Sequence, residues 1–160
     1  MLRISKLTDY AILLMVELTR CANGSAAAPA EVLSAQALAE RVGVEVTTAS
    51  KVLKMLAGSG LLDSFRGASG GYRANRAAAD ISVAEVIAAI EGPIAMTECS
   101  VEEGLCSQED NCGLRGNWQR ISLAVARALQ DVSLAEMSAP PGRPGVAAQN
   151  PLRITTLNTA

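Results

Sequence analysis

The sequence predicts a mainly α fold: a winged helix-turn-helix DNA-binding domain followed by a long C-terminal dimerisation helix. Three observations carry that prediction. Two short helical patterns flank a glycine in ALAERVGVEVTTASKVLKML, the layout of a helix-turn-helix. A hairpin pattern with a glycine-rich connection, LLDSFRGASGGYRAN, follows directly. Further on, Trp118, Ile121, Val125, Ala128 or Leu129, and Val132 recur at spacings of three and four, a narrow apolar seam of the kind helices use to pair.

Each element follows from local residues. Residues 5 to about 21 read as the first helix, with Tyr10, Ile12, Leu13, Leu14, Val16 and Leu18 forming a broad apolar face. CANGSAAAPA is a loop of small residues with a turn at Asn23-Gly24. Ser34 N-caps a second helix over 35–42, and Gly43 ends it in a tight turn. A third helix runs over about 46–57 and stops at Gly58-Ser59-Gly60. Residues 61–65 and 72–74 pair as short strands across a connection that tolerates positive φ. Ser82 and Glu85 spell a capping box for a helix ending at Glu91, terminated by Gly92-Pro93. Asn117 caps a last long helix to about Met137, whose seam favours a homodimer. The remainder, rich in Pro, Gly and Ala without periodicity, is expected to be disordered. The expected units are therefore 1–80 for DNA binding, 81–137 for a cysteine loop and the dimerisation helix, and 138–160 for the tail.

Composition narrows the function. A chain of 160 residues that is 49% hydrophobic can build a core without disulfide staples. The formal net charge is −2, yet six Lys or Arg stand against two acids from Arg41 to Arg76. A basic block in an acidic chain points to a local anionic partner, double-stranded DNA first. The apolar run AILLMV is too short for a signal core or a membrane span, so no membrane association and a cytoplasmic location are expected. In that compartment clustered cysteines more often bind metal or sense redox than form bridges. The chain has no histidine, no phosphate-binding loop and no paired nucleophile and base, so an enzyme is not expected.

The third helix carries the reading residues. Thr47, Thr48, Ser50 and Lys51 lie near its start, the end that meets base edges in a major groove. Hydroxyls donate or accept there, and lysine reaches guanine or phosphate. Lys54 lies one turn on, at phosphate reach, and Arg66 marks the wing tip with Arg73 and Arg76 beside it. Val52, Leu53, Met55 and Leu56 are expected to pack inward. Two packed helices with a solvated face would share much of this pattern. The coincidence of turn, hydroxyl-rich helix, glycine-rich wing and local charge favours DNA.

CSVEEGLCSQEDNC holds Cys99, Cys106 and Cys112 among acids, with no lysine or arginine. The gaps between these cysteines are wider than the two-residue gaps of zinc fingers and ferredoxins. Such a loop can wrap an iron–sulfur cluster, hold a structural zinc with one carboxylate, or act as a thiol switch. Cys21 stands apart and reads as a small buried hydrophobe.

Taken in order, LRISKLTDYAI, SKVLKMLAGSGLL, FRGASGGYRA, ISVAEVIAAIEGPIAMTEC and the three-cysteine loop resemble the IscR/NsrR family of winged-helix iron–sulfur regulators, over about residues 1–137. DYAI, EGPIAMTECS and NWQRI resemble in particular the branch that regulates the SUF iron–sulfur assembly operon. The resemblance implies a homodimeric repressor on a palindromic operator, with a 2Fe–2S or 4Fe–4S cluster on Cys99, Cys106 and Cys112. It implies base and phosphate contacts from Thr47, Thr48, Ser50, Lys51 and Arg66. Many members have glutamate where Ser50 stands, which implies a different base preference here. Some members place a histidine ligand three residues after the third cysteine. That position is Arg115, whose guanidinium has no lone pair to give. In the nitric-oxide-sensing branch an aspartate matching Asp9 reaches across the dimer to a 4Fe–4S cluster. Asp9 is therefore the candidate fourth ligand, and a nitric-oxide-sensing repressor is the alternative function. An acid in the first turn of a helix is also favoured by the macrodipole alone. Glu98, Glu102, Glu103, Glu109 and Asp110 are competing local donors.

Overall fold

The computed structural model describes residues 3–22, 31–67, 69–108 and 111–139. Ser5 sets the first helix: its Oγ accepts the Thr8 amide at 3.3 Å, and α1 (Lys6–Ala22) follows. Ala11, Leu14, Met15 and Leu18 make the buried stripe at i, i+3, i+4 and i+7. Two threonines share this interior, and both are satisfied. The Thr19 hydroxyl donates to the Met15 and Val16 carbonyls, and that of Thr8 donates to Glu91. The expected turn at Asn23-Gly24 and the side chain of Cys21 lie outside the described residues.

Ser34 caps α2 (Ala35–Val42), its Oγ accepting the Ala37 amide at 3.1 Å. Gly43 takes the left-handed conformation (φ 74°), and its amide and that of Val44 both close on the Ala39 carbonyl. The chain then enters α3 (Val46–Gly58). The wing pairs β1 (Leu62–Phe65) antiparallel with β2 (Gly71–Ala74), Leu62 facing Ala74 and Phe65 facing Gly71. Ala68, in its connection, lies outside the described residues.

A further contact braces the wing. Leu33 and Tyr72 exchange both backbone hydrogen bonds, at 3.0 and 2.8 Å. A single paired residue has no periodicity, so the sequence pattern does not reveal it. The approach is close enough that a Cβ on Gly71 would overlap the Leu33 carbonyl. Gly71→Ala is therefore expected to cost about 1–3 kcal/mol through overpacking. Gly58→Ala, where no atom lies within 4 Å, is not. Thermal denaturation of the two variants checks this, and an undisturbed Gly71→Ala midpoint would refute it.

After a 3-10 turn at Ala78–Asp80, α4 (Val83–Glu91) opens with the expected capping box. The Ser82 Oγ accepts the Glu85 amide and Glu85 Oε2 accepts the Ser82 amide. Gly92, at φ 89°, ends the helix. The short α5 (Glu98–Val101), then α6 (Arg115–Gln130) and α7 (Leu134–Met137), complete the described chain.

The expected single helix from Asn117 to Met137 is in fact two. Asn117 is not the cap, because the Leu114 carbonyl already accepts the Asn117 and Trp118 amides at 3.0 and 3.1 Å. The helix therefore starts at Arg115, with no side-chain cap. It ends at Gln130 because Ser133 and Glu136 form a second capping box and restart the chain as α7. Ser-Val-Ala-Glu at 82–85 and Ser-Leu-Ala-Glu at 133–136 are the same device used twice. The two caps meet in an antiparallel bridge: the Val83 amide donates to Val132 (2.8 Å) and the Leu134 amide to Ile81 (2.9 Å). Leu134 is thereby fully buried in the same core as Leu14, Leu53 and Val86. The tail expected to be disordered lies, from residue 140 on, outside the described residues.

Candidate nucleic-acid interface and cysteine segment

Helix α3 divides cleanly. Ala49, Val52, Leu53 and Leu56 are buried against the core, with Met55 half-buried. Thr47, Lys51 and Lys54 recur at spacings of four and three, so they share one face, and all are exposed. Thr48 and Ser50 are half-buried at its edges. The Thr47 hydroxyl donates to Glu45 at 3.4 Å, a long bond that leaves its lone pairs available.

The basic block splits into two kinds of cation. Arg41 pairs with Glu17 at 3.6 Å. Arg73 pairs with Asp63 directly across the hairpin at 3.0 Å and lies over the Phe65 ring. Arg76 pairs with Glu85 at 2.7 Å and donates to the Asp80 carbonyl. Arg73 and Arg76, beside the wing tip, are thus each engaged by a carboxylate, one cross-strand and one in the capping box. Burial pushes the Glu85 carboxyl up, but the Ser82 amide and Arg76 outweigh it and hold it below its ordinary range. Among the described residues Lys51, Lys54 and Arg66 make no ion pair, and all three are exposed on α3 and the wing.

The cysteine segment is held at its entrance. The Met96 amide donates to Ser122 of α6 at 3.0 Å. The Thr97 hydroxyl lies 3.3 Å from the Cys99 Sγ and 2.8 Å from the Ser100 Oγ. Cys99, on α5, is buried, while Cys106 and Cys112 are half-buried, and all three are free thiols. Arg115, at the histidine position of some relatives, reaches back to Glu103 at 3.2 Å and so ties the segment to the start of α6. The three thiols share one segment but are not drawn together. Among the described residues no three Cys, Asp or Glu side chains converge as a metal-binding group. Asp9 is exposed on the first turn of α1. Glu109 and Asp110 lie outside the described residues.

Sequence reasoning missed Thr97, Ser122 and Glu91, which touch the cysteine segment or its approach. The partners of Ser122 and Glu91 are distant in sequence, so no local pattern marks them, whereas Thr97 contacts Cys99 and Ser100 within its own short turn.

Helix, turn, helix and braced two-stranded wing define a winged helix-turn-helix protein. The chain belongs to the Rrf2 family, described as iron-dependent transcriptional regulators, whose pattern it matches over residues 4–140. It is 34% identical over 100 residues to the HTH-type transcriptional regulator IscR of Xenorhabdus nematophila, across 62% of this chain and 60% of that protein. It is 32% identical over 105 residues to protein rrf2 of Nitratidesulfovibrio vulgaris, across 66% of this chain and 70% of the other. The chain thus spans about 60% of the length of the IscR relatives it matches. Among solved structures it is similar to CymR (YrzC), the global cysteine regulator of B. subtilis. That match has TM-score 0.63 and 27% identity over 86% of this chain and 97% of that one. The T. potens IscR structure shares the fold at TM-score 0.58 and 24% identity, over 85% of each chain.

Among the described residues no helix is long and apolar enough to cross a membrane.

Proposed function

We propose that the protein is a cytoplasmic DNA-binding transcriptional repressor of iron–sulfur assembly (SUF) genes, acting as a homodimer on a palindromic operator. The observation that carries DNA binding is the sorting of cations. Carboxylates engage three of the six in the basic block and leave Lys51 and Lys54 on α3 and Arg66 on the wing exposed without an ion pair among the described residues. In this reading Lys51, Lys54 and Arg66 contact phosphate or guanine, and Thr47, Thr48 and Ser50 meet base edges. Residues 1–80 form the reading unit and 81–137 the sensing and pairing unit. Helix α6 exposes Trp118, Ile121 and Leu123, an apolar surface suited to a second copy.

Three free thiols on one segment are the donor chemistry an iron–sulfur cluster takes, and the segment would have to draw them together to hold it. Cys99, Cys106 and Cys112 would hold it, with Asp9 as the fourth donor. Such a group supplies iron whose redox state and non-thiolate site respond to small molecules. Thr97 places a hydroxyl on the Cys99 sulfur, and the Arg115–Glu103 pair keeps the segment against α6.

Anaerobic purification followed by a visible spectrum and assay of iron, acid-labile sulfide and zinc tests the reading. A brown protein with iron and sulfide, both lost in Cys106→Ala, and altered binding to promoter DNA of assembly genes in that variant are expected. A colourless protein holding zinc, or no metal after reconstitution, would overturn the sensor. Asp9→Ala tests the fourth bond, and loss of DNA binding on exposure to nitric oxide would favour a nitric-oxide-sensing repressor.

A further inference from the structure

Residues 91–97 link α4 to the cysteine segment, and the link is pinned at both ends. At the first end Glu91 Oε1 accepts the Ser5 amide at 2.9 Å and the Thr8 hydroxyl, both at the start of α1. Those bonds, that from Thr8 first, hold the Glu91 carboxyl below its ordinary range, so it is an anion at neutral pH. At the second end the Met96 amide donates to Ser122, a buried residue of α6. Pro93 fixes its own φ and restricts Gly92, so the span between the pins is short and its first half is stiff. A solvent-open pocket of about 460 Å³ adjoins it, lined by span residues such as Ile94 together with Val125 and Leu129 of α6. Such a span beside open space can shift without forcing close-packed side chains apart.

We propose that Glu91 and Ser122 are positioning residues that make this span a strap coupling the cysteine segment to the DNA-reading head. The inference rests on the functional reading above. One end of the strap runs straight into Thr97 and Cys99, whose hydroxyl and sulfur are 3.3 Å apart. The other holds the start of α1, and α1 packs along α3. A displacement of Cys99 therefore reaches the recognition helix through two hydrogen-bonded pins and one rigid helix. Neither pin touches a thiol or the α3 reading residues, so their loss separates coupling from binding.

Amide hydrogen exchange on the full-length, reduced, metal-free protein tests the strap without relying on a cluster. Glu91→Gln removes the charged acceptor, and the Ser5 amide is expected to exchange about tenfold faster. The coupled result is that Met96, at the other pin, also accelerates several-fold. Ser122→Ala is expected to do the reverse, releasing Met96 and accelerating Ser5. If each variant alters only its own end, the strap is wrong. Should Glu91→Gln not fold, Thr8→Val removes the stronger of its bonds from the other side. The second measurement is the ratio of DNA affinities of iron-loaded and metal-free protein, expected to fall toward one in both variants. A ratio unchanged from wild type overturns the proposal. A wild-type ratio of one would instead refute the sensing function, leaving the strap to be decided by exchange alone.

Discussion

A double Lys51→Ala, Lys54→Ala variant will bind double-stranded DNA roughly 10–100-fold more weakly at about 0.1 M salt. If each lysine neutralises a phosphate as proposed, the plot of log affinity against log salt will flatten by about two units as fewer counterions are released. Both side chains are exposed on one face of α3 and neither has an acid partner among the described residues. Their removal leaves Val52, Leu53 and Leu56 in place, so the fold is unaffected. Arg73→Ala is the control, because its guanidinium is occupied by Asp63 and the Phe65 ring. Its salt slope stays near that of wild type. A double variant with an unaltered slope would show that DNA, if bound, is gripped elsewhere.

The second large effect concerns stability. Leu134→Ala will cost about 2–5 kcal/mol, the range for truncating a fully buried leucine, and lower Tm on the order of ten degrees. Leu134 is 0% exposed and packs in the core cluster with side chains of α1 and α3, although it lies beyond the long helix. Trp118→Ala, on α6 and 38% exposed, is expected to cost an isolated subunit less than Leu134→Ala and to weaken subunit pairing as well. Calorimetry of the two variants, with light scattering to fix their oligomeric state, separates the effects. A negligible loss at Leu134 would mean that α7 is not part of the core.

Elements announced by their own residues were legible before the structure. Ser34 and Gly43 bracket α2, and Ser82 with Glu85 starts α4, because caps act within one turn. The buried face of α3 was legible for the same local reason. The last helix was misjudged because its seam continues in phase through Val132, which masks a second Ser-x-x-Glu box. The wing brace at Leu33 was invisible, since one bridging residue has no period. Charge was legible only as a sum. Which arginines are engaged depends on register, as with Asp63 facing Arg73, and on contacts such as Arg76 with Glu85. Three thiols in one loop are plain in sequence, whereas the Ser122 and Glu91 contacts arise only when distant segments meet.

The paired caps at Ser82 and Ser133 bear on how this chain can change over generations. Helix α6 is fastened to Met96 through Ser122, and beyond its end the chain is fastened to Ile81 and Val83. One inserted residue between those points would turn everything after it by about 100° and advance it by about 1.5 Å. Leu134 would leave the core and the two caps would no longer meet. Inserting a whole turn would restore direction but overshoot by more than 5 Å. The geometry therefore leaves the outward residues of α6 open to substitution and is expected to penalise any change in the number of residues between Ser122 and Ser133.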